Sequence, residues 1–124
     1  MTNSPLLLFI NFSNHPSSGW DEDQMAQAKR YGHVVDLPFP QVDPMMASEQ
    51  VRQLADQCVK DILEMGDEAG MTVHVMGEMT LVYHVVTALK QHGVCCVAST
   101  TERIATEANG TKVSEFRFVQ FREY

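Results

Sequence analysis

The sequence is short of basic residues. Lys and Arg number 9 against 16 Asp and Glu, for a formal net charge of −7. Duplex DNA or RNA needs a positive face to displace its counterions, so no duplex nucleic acid is expected as a partner. Long apolar runs are lacking as well. Nothing approaches the roughly 20 residues that cross a bilayer, and no membrane partner is expected. Met1 to Pro5 carry no basic residue, and residues 6–10 make too short a core for a signal peptide, so a cytoplasmic chain is expected. The three cysteines, Cys58, Cys95 and Cys96, are odd in number and have no CxxC spacing. That leaves no disulfide framework and no zinc site. Cys95 and Cys96 sit inside an apolar run and read as buried small hydrophobes. There is no GxGxxG fingerprint and no GxxxxGK[ST] loop. The five histidines have no metal-ligand spacing, and no Ser-His-Asp order or Cys–His pair stands out. Neither a cofactor nor a metal is expected.

What is present fits one α/β domain spanning residues 1–124. Residues 6–10 are continuously apolar, as in a strand covered on both faces. Residues 11–19 are rich in turn formers. A helix is expected from Trp20 to Tyr31, with Asp21 and Gln24 as a capping box and Gly32 at its end. A strand follows over residues 33–37, and then a loop stiffened by Pro38, Pro40 and Pro44. Val51, Leu54, Ala55, Cys58, Ile62 and Met65 recur at helical spacing on an amphipathic helix starting near Asp43 or Ser48. Residues 72–103 read as a βαβ unit: strand 72–76, helix 78–92, strand 94–98, and a turn over 99–103. Residues 104–108 read as a helical turn. Asn109-Gly110 is a turn signal, and residues 111–124 are expected as a final strand. Short strand–helix alternations predict a mainly parallel sheet of about five strands, with helices on both faces.

Ligands in such sheets bind outside the carboxyl ends of the strands. Two stretches fall there. Gly77 allows close backbone approach at a helix mouth, where free N–H groups attract an anion and Thr80 adds a hydroxyl. Many such turns carry Gly for packing alone. Ser99, Thr100 and Thr101, followed by Arg103, suit phosphate recognition, because Arg offers a planar fork of donors. The bland reading is a capped helix start with a surface Arg. His15, in the first strand-end loop, reads first as a surface loop residue, and is otherwise the one histidine placed for ligand contact or acid–base work. His74 and His84 read as packed or surface residues.

Asn11-Phe12-Ser13 after the first strand, Gly77-Glu78-Met79-Thr80 after a middle strand and Ser99-Thr100-Thr101-Glu102-Arg103 after the next resemble the CRISPR-associated Rossmann-fold (CARF) group. Within that group the chain is similar to the small stand-alone proteins proposed as ring nucleases. The resemblance covers most of the chain as an order of elements, and its motifs are short. It implies a Rossmann-like homodimer that binds cyclic oligoadenylate across its two-fold axis. Some members sense the ring; others cleave it without metal, the ribose 2′-hydroxyl attacking the adjacent phosphate. Carried over, it places Ser13 and Asn14 near the ligand, Gly77 and Thr80 on phosphate or ribose, and Thr100, Thr101 and Arg103 on the phosphates. No nuclease domain or winged helix follows, and the acidic balance departs from what a polyanionic ligand favours. Two other classes stay open: a non-enzymatic nucleotide sensor or partner-binding module, and an unrelated small α/β enzyme acting on a phosphorylated metabolite.

Overall fold

In a computed structural model of the chain, which describes residues 6–124, one five-stranded sheet carries three helices. The elements run β1 (Leu8–Ser13), α1 (Glu22–Tyr31), β2 (His33–Pro38), α2 (Ser48–Leu63), β3 (Met71–Met76), α3 (Met79–Gln91), β4 (Cys95–Ala108) and β5 (Thr111–Glu123). The strand order is β2-β1-β3-β4-β5. β1 pairs in parallel with β2 and β3, and β3 in parallel with β4. β1 connects to β2 on one side of itself, while β3 lies on the other. The order of strands therefore reverses between β1 and β3, the point where open α/β sheets place their ligands.

Period-2 alternation sorts the side chains into two cores. Leu8, Ile10 and Phe12 of β1 and Met71, Val73 and Val75 of β3 face α2 and α3. On α2, Val51, Ala55, Cys58, Val59 and Ile62 are buried, while Arg52, Asp56, Lys60, Asp61 and Glu64 are exposed, as the helical spacing predicts. On the other face, Phe9, Val97, Phe118 and Phe121 pack with Ala28 of α1. Asp21 caps α1, its carboxylate accepting from Gln24 N–H at 2.7 Å. Met79, the first residue of α3, is 82% exposed.

The expected mainly parallel sheet is corrected to a mixed one. β4 and β5 form a long antiparallel pair, in register from Val97 with Glu123 to Ala108 with Thr111. The turn expected over residues 99–103 and the helical turn expected over 104–108 are both strand. The cause is the Asn109-Gly110 turn. Both residues have positive φ, 54° and 77°, the conformation of a two-residue hairpin whose twist matches antiparallel strands. That turn draws the threonine-rich stretch before it into pairing with the aromatic stretch after it. β4 pairs with β3 only from Cys95 to Val97. Beyond that, the hairpin projects as a two-stranded arm. β1 is also corrected: it runs on to Ser13, so Asn11 and Ser13 are buried strand residues rather than part of a loop. Cys58 and Cys96 are buried and Cys95 is half-buried; all three are free thiols. Burial pushes the Cys96 thiol up to about 12.

Candidate functional site

On the α1 face, the apolar alternation of the central strands is interrupted by a row of polar side chains. Asn11 of β1, His74 of β3 and Ser99 of β4 lie in line, with Asp36 of β2 at the outer end. Asn11 is 1% exposed and His74 2%. A buried polar group is costly unless it is paired, and each of these is. Asn11 Nδ2 donates to the His15 carbonyl at 2.8 Å and to Asp36 Oδ1 at 2.9 Å. Ser13 Oγ donates to Asn11 Oδ1 at 2.7 Å, and the His15 N–H donates to Ser13 Oγ at 3.2 Å. Asp36 also accepts from Ser17 N–H and Oγ–H, which fastens the loop after β1 to β2.

This network fixes one tautomer. Both neighbours of Asn11 Nδ2 can only accept, so the amide nitrogen must face them and Oδ1 must face His74. His74 Nδ1 lies 2.9 Å from that oxygen and therefore carries the proton. Nε2, 3.1 Å from Ser99 Oγ, is left as the acceptor of the serine hydroxyl. Burial, and after it the neighbouring His15, pulls the His74 pKa down to about 4. His74 is therefore a neutral Nδ1–H imidazole at neutral pH.

A cavity of about 400 Å³ opens over this row, lined by His15, Trp20, His74, Met76, Ser99, Thr101, Phe116 and Phe118, with Asp21 and Gln24 of α1 also on its wall. It lies past Ser13 and beside Met76, at the carboxyl ends of β1 and β3, where the strand order reverses. The Trp20 indole N–H is buried without a hydrogen-bond partner. The cavity wall thus combines aromatic faces, hydroxyls and two imidazoles.

The residues singled out from sequence are scattered. Thr101 and His15 line the cavity. Ser13 is buried beneath it in the network. Asn14 lies in a separate groove with Phe39, Pro40, Asp43 and Glu78. A Cβ on Gly77 would come within 2.5 Å of the Phe39 ring, so the glycine serves a close packing contact. The helix mouth beside it is taken by a carboxylate of the chain itself. Glu78 accepts from Thr80 N–H, Leu81 N–H and Thr80 Oγ–H, the last at 2.6 Å. Those bonds, Thr80 Oγ–H foremost, hold its carboxyl below the usual range. Thr100 Oγ pairs with the Gln120 backbone where the hairpin register shifts. Arg103 Nε and Nη2 donate to Ser114 Oγ across the hairpin, at 3.1 and 2.9 Å.

The residues missed are Asn11, Asp36, His74 and Ser99 as a connected row, with Trp20 above it. A polar residue at the centre of each of two apolar strands, Asn11 and His74, was the available signal. A cross-strand pairing was needed to read it. Among the described residues, no group of three or more His, Cys, Asp or Glu comes together as a metal site, and no helix is long and apolar enough to cross a membrane.

These features define a doubly wound α/β protein with an open cleft at the reversal of its strand order. The chain belongs to the family described as Uncharacterized protein MJ1673 family, whose model matches residues 7–122. No curated protein and no solved structure matches it.

Proposed function

We propose that the chain is a CARF-like protein that binds cyclic oligoadenylate in the cleft between β1 and β3. The observation that carries this reading is the lining of the cavity, with Trp20, Phe116 and Phe118 beside Ser99, Thr101 and the two imidazoles at the strand ends. Aromatic faces stack on bases in a way that tolerates an acidic protein, at about 1–3 kcal/mol per base. The hydroxyls of Ser99 and Thr101 on the wall supply polar groups for ribose and phosphate. Recognition in this form leans on stacking and neutral donors rather than on Arg103, whose guanidinium is engaged with Ser114. Titration with labelled cyclic oligoadenylates of several ring sizes, with and without EDTA, tests it. Saturable binding of one ring size is expected, and turnover that EDTA does not abolish identifies a ring nuclease. Binding without turnover selects a sensor, and no binding of any ring removes the proposal.

The same reading includes a homodimer. Val113 is 49% exposed and Phe116 69%, both on the β4–β5 arm beyond its contact with β3. A two-stranded ribbon is at best marginal alone in water. A second copy of the arm offers the matching apolar surface and open strand edge. It would also set two clefts about one axis, each facing half of a symmetric ring. Sedimentation is expected to give a dimer at micromolar concentration that Phe116→Asp converts to monomer. A wild-type monomer there would count against it.

A further inference from the structure

His15 and His74 line one small cavity. The Asn11 amide locks His74 as the Nδ1–H tautomer, so its free Nε2 lone pair points at Ser99 Oγ on the cavity wall. Nothing about packing requires this. Val or Leu would fill the same place in a β-strand, without the cost of burying the polar groups of Asn11 and His74. The polar row is well suited to holding a base. Asp36 polarises Asn11, Asn11 orients the imidazole, and Ser99 connects it to the cavity. His15 has its backbone carbonyl and N–H tied into the same network and its ring on the same wall. The other ionisable groups in this neighbourhood are Asp36, behind Asn11, and Asp21, on the cavity wall at the start of α1. β4 and β5 present Ser99, Thr101 and the two phenylalanines Phe116 and Phe118.

Resting on the nucleotide reading of the cavity, we propose that His74 is its general base, taking the proton of a ribose 2′-hydroxyl through Ser99, and that His15 protonates the leaving oxygen. The substrate class is a 3′,5′-linked ribonucleotide phosphodiester. As the 2′-hydroxyl gives its proton to Ser99 Oγ, Ser99 passes its own to His74 Nε2. The bond from the 2′-oxygen to phosphorus forms, and the bond from phosphorus to the 5′-oxygen breaks. The 5′-oxygen takes a proton from the His15 imidazolium. The products are a 2′,3′-cyclic phosphate and a 5′-hydroxyl, and solvent restores the two imidazoles. Positioned acid–base groups of this kind contribute about 10²–10⁴ in rate.

The full chain, incubated with labelled cyclic tetra-adenylate, cyclic hexa-adenylate and linear oligoadenylate, tests the assignment. Single-turnover rates and product ends are measured for wild type, His74→Gln, His15→Ala and Ser99→Ala, with affinities titrated in parallel and folding checked by circular dichroism. His74→Gln is expected to slow cleavage by about 10²–10⁴ while the ligand still binds. Ser99→Ala should slow it less, because a water can take the place of the hydroxyl. The wild-type rate should fall on an acid limb where His74 itself becomes protonated, near pH 4. This acid limb and Ser99→Ala carry the test should His74→Gln fail to fold. A wild type that binds a ring without cutting it, or a His74→Gln that cuts at the wild-type rate, overturns the assignment and leaves the binding proposal standing. Linear oligoadenylate cut in a His74-dependent way, with no ring bound, supports the assignment and removes the ring. No binding and no cleavage of any of the three removes both.

Discussion

Phe9→Ala is expected to destabilise the protein by about 3–5 kcal/mol, the range for removing a fully buried phenylalanine ring. Phe9 is fully buried at the centre of β1. Its ring centroid lies 4.9 Å from that of Phe121, 5.5 Å from Tyr31, 6.1 Å from Trp20 and 6.2 Å from His74. Those partners come from β5, α1, the segment before α1, and β3, so no single shift of the backbone can close the space left behind. The cost is a large share of the 5–15 kcal/mol that typically holds a domain together. The same ring packs against two side chains of the cavity wall, Trp20 and His74. Urea unfolding followed through Trp20, the one tryptophan in the sequence, measures the effect, with Met45→Ala as the control. Met45 is 88% exposed, and its truncation is expected to stay within about 0.5 kcal/mol of wild type. A loss below about 1 kcal/mol for Phe9→Ala would mean that the α1-face core does not hold the sheet as described.

The parts of this fold that local chemistry encodes were legible. A continuous apolar run marked β1, the βαβ pattern over residues 72–98 marked β3 and α3, the Val51-to-Ile62 spacing marked α2, and Asp21 marked the start of α1. The arm was not. Residues 99–108 have no apolar alternation and few buried side chains, so nothing within them says strand. Their pairing is imposed from outside, by the type of turn that Asn109 and Gly110 form. The hydroxyls of Ser99, Thr100 and Thr101 were read as a strand-end anion site because strand and turn share those residue types. The pairing with β5 separates them: Ser99 and Thr101 reach the cavity, and Thr100 turns to the Gln120 backbone. The site was half legible for a related reason. A loop histidine such as His15 stands out in one dimension. The importance of His74 lies in its neighbours Asn11, 63 residues away, and Ser99, 25 residues away, which only the strand order brings together. At Gly77 and Thr80 the sequence did not reveal the role of Glu78 between them. Glu78 holds the donors that a phosphate would need.

Acid should weaken the fold through His74. Its pKa in the folded protein is pulled to about 4, mainly by burial, against about 6.5 for an imidazole in an unfolded chain. The folded pKa is the lower one, so the unfolded state binds the proton first. Above about pH 6.5 neither state is protonated, and the contribution to stability is fully present. As the pH falls below that value, unfolding takes up a proton and stability declines, by about 1.4 kcal/mol per pH unit. The decline ends near pH 4, where the folded state is protonated too. Across the window the loss is about 3 kcal/mol, as an order of magnitude. Glu78, its carboxyl held below the usual range by hydrogen bonds, loses its contribution at lower pH, as the pH falls through its depressed folded pKa. A wild-type curve alone mixes the two effects, so the measurement is a difference. Urea midpoints of wild type and His74→Gln, taken at half-unit steps from pH 7.5 to 4, should converge as the pH drops, because the variant has no imidazole at this position to charge. Parallel curves across that range would show that His74 is not a buried neutral imidazole. The tautomer argument, and with it the general-base assignment, would then lose its footing.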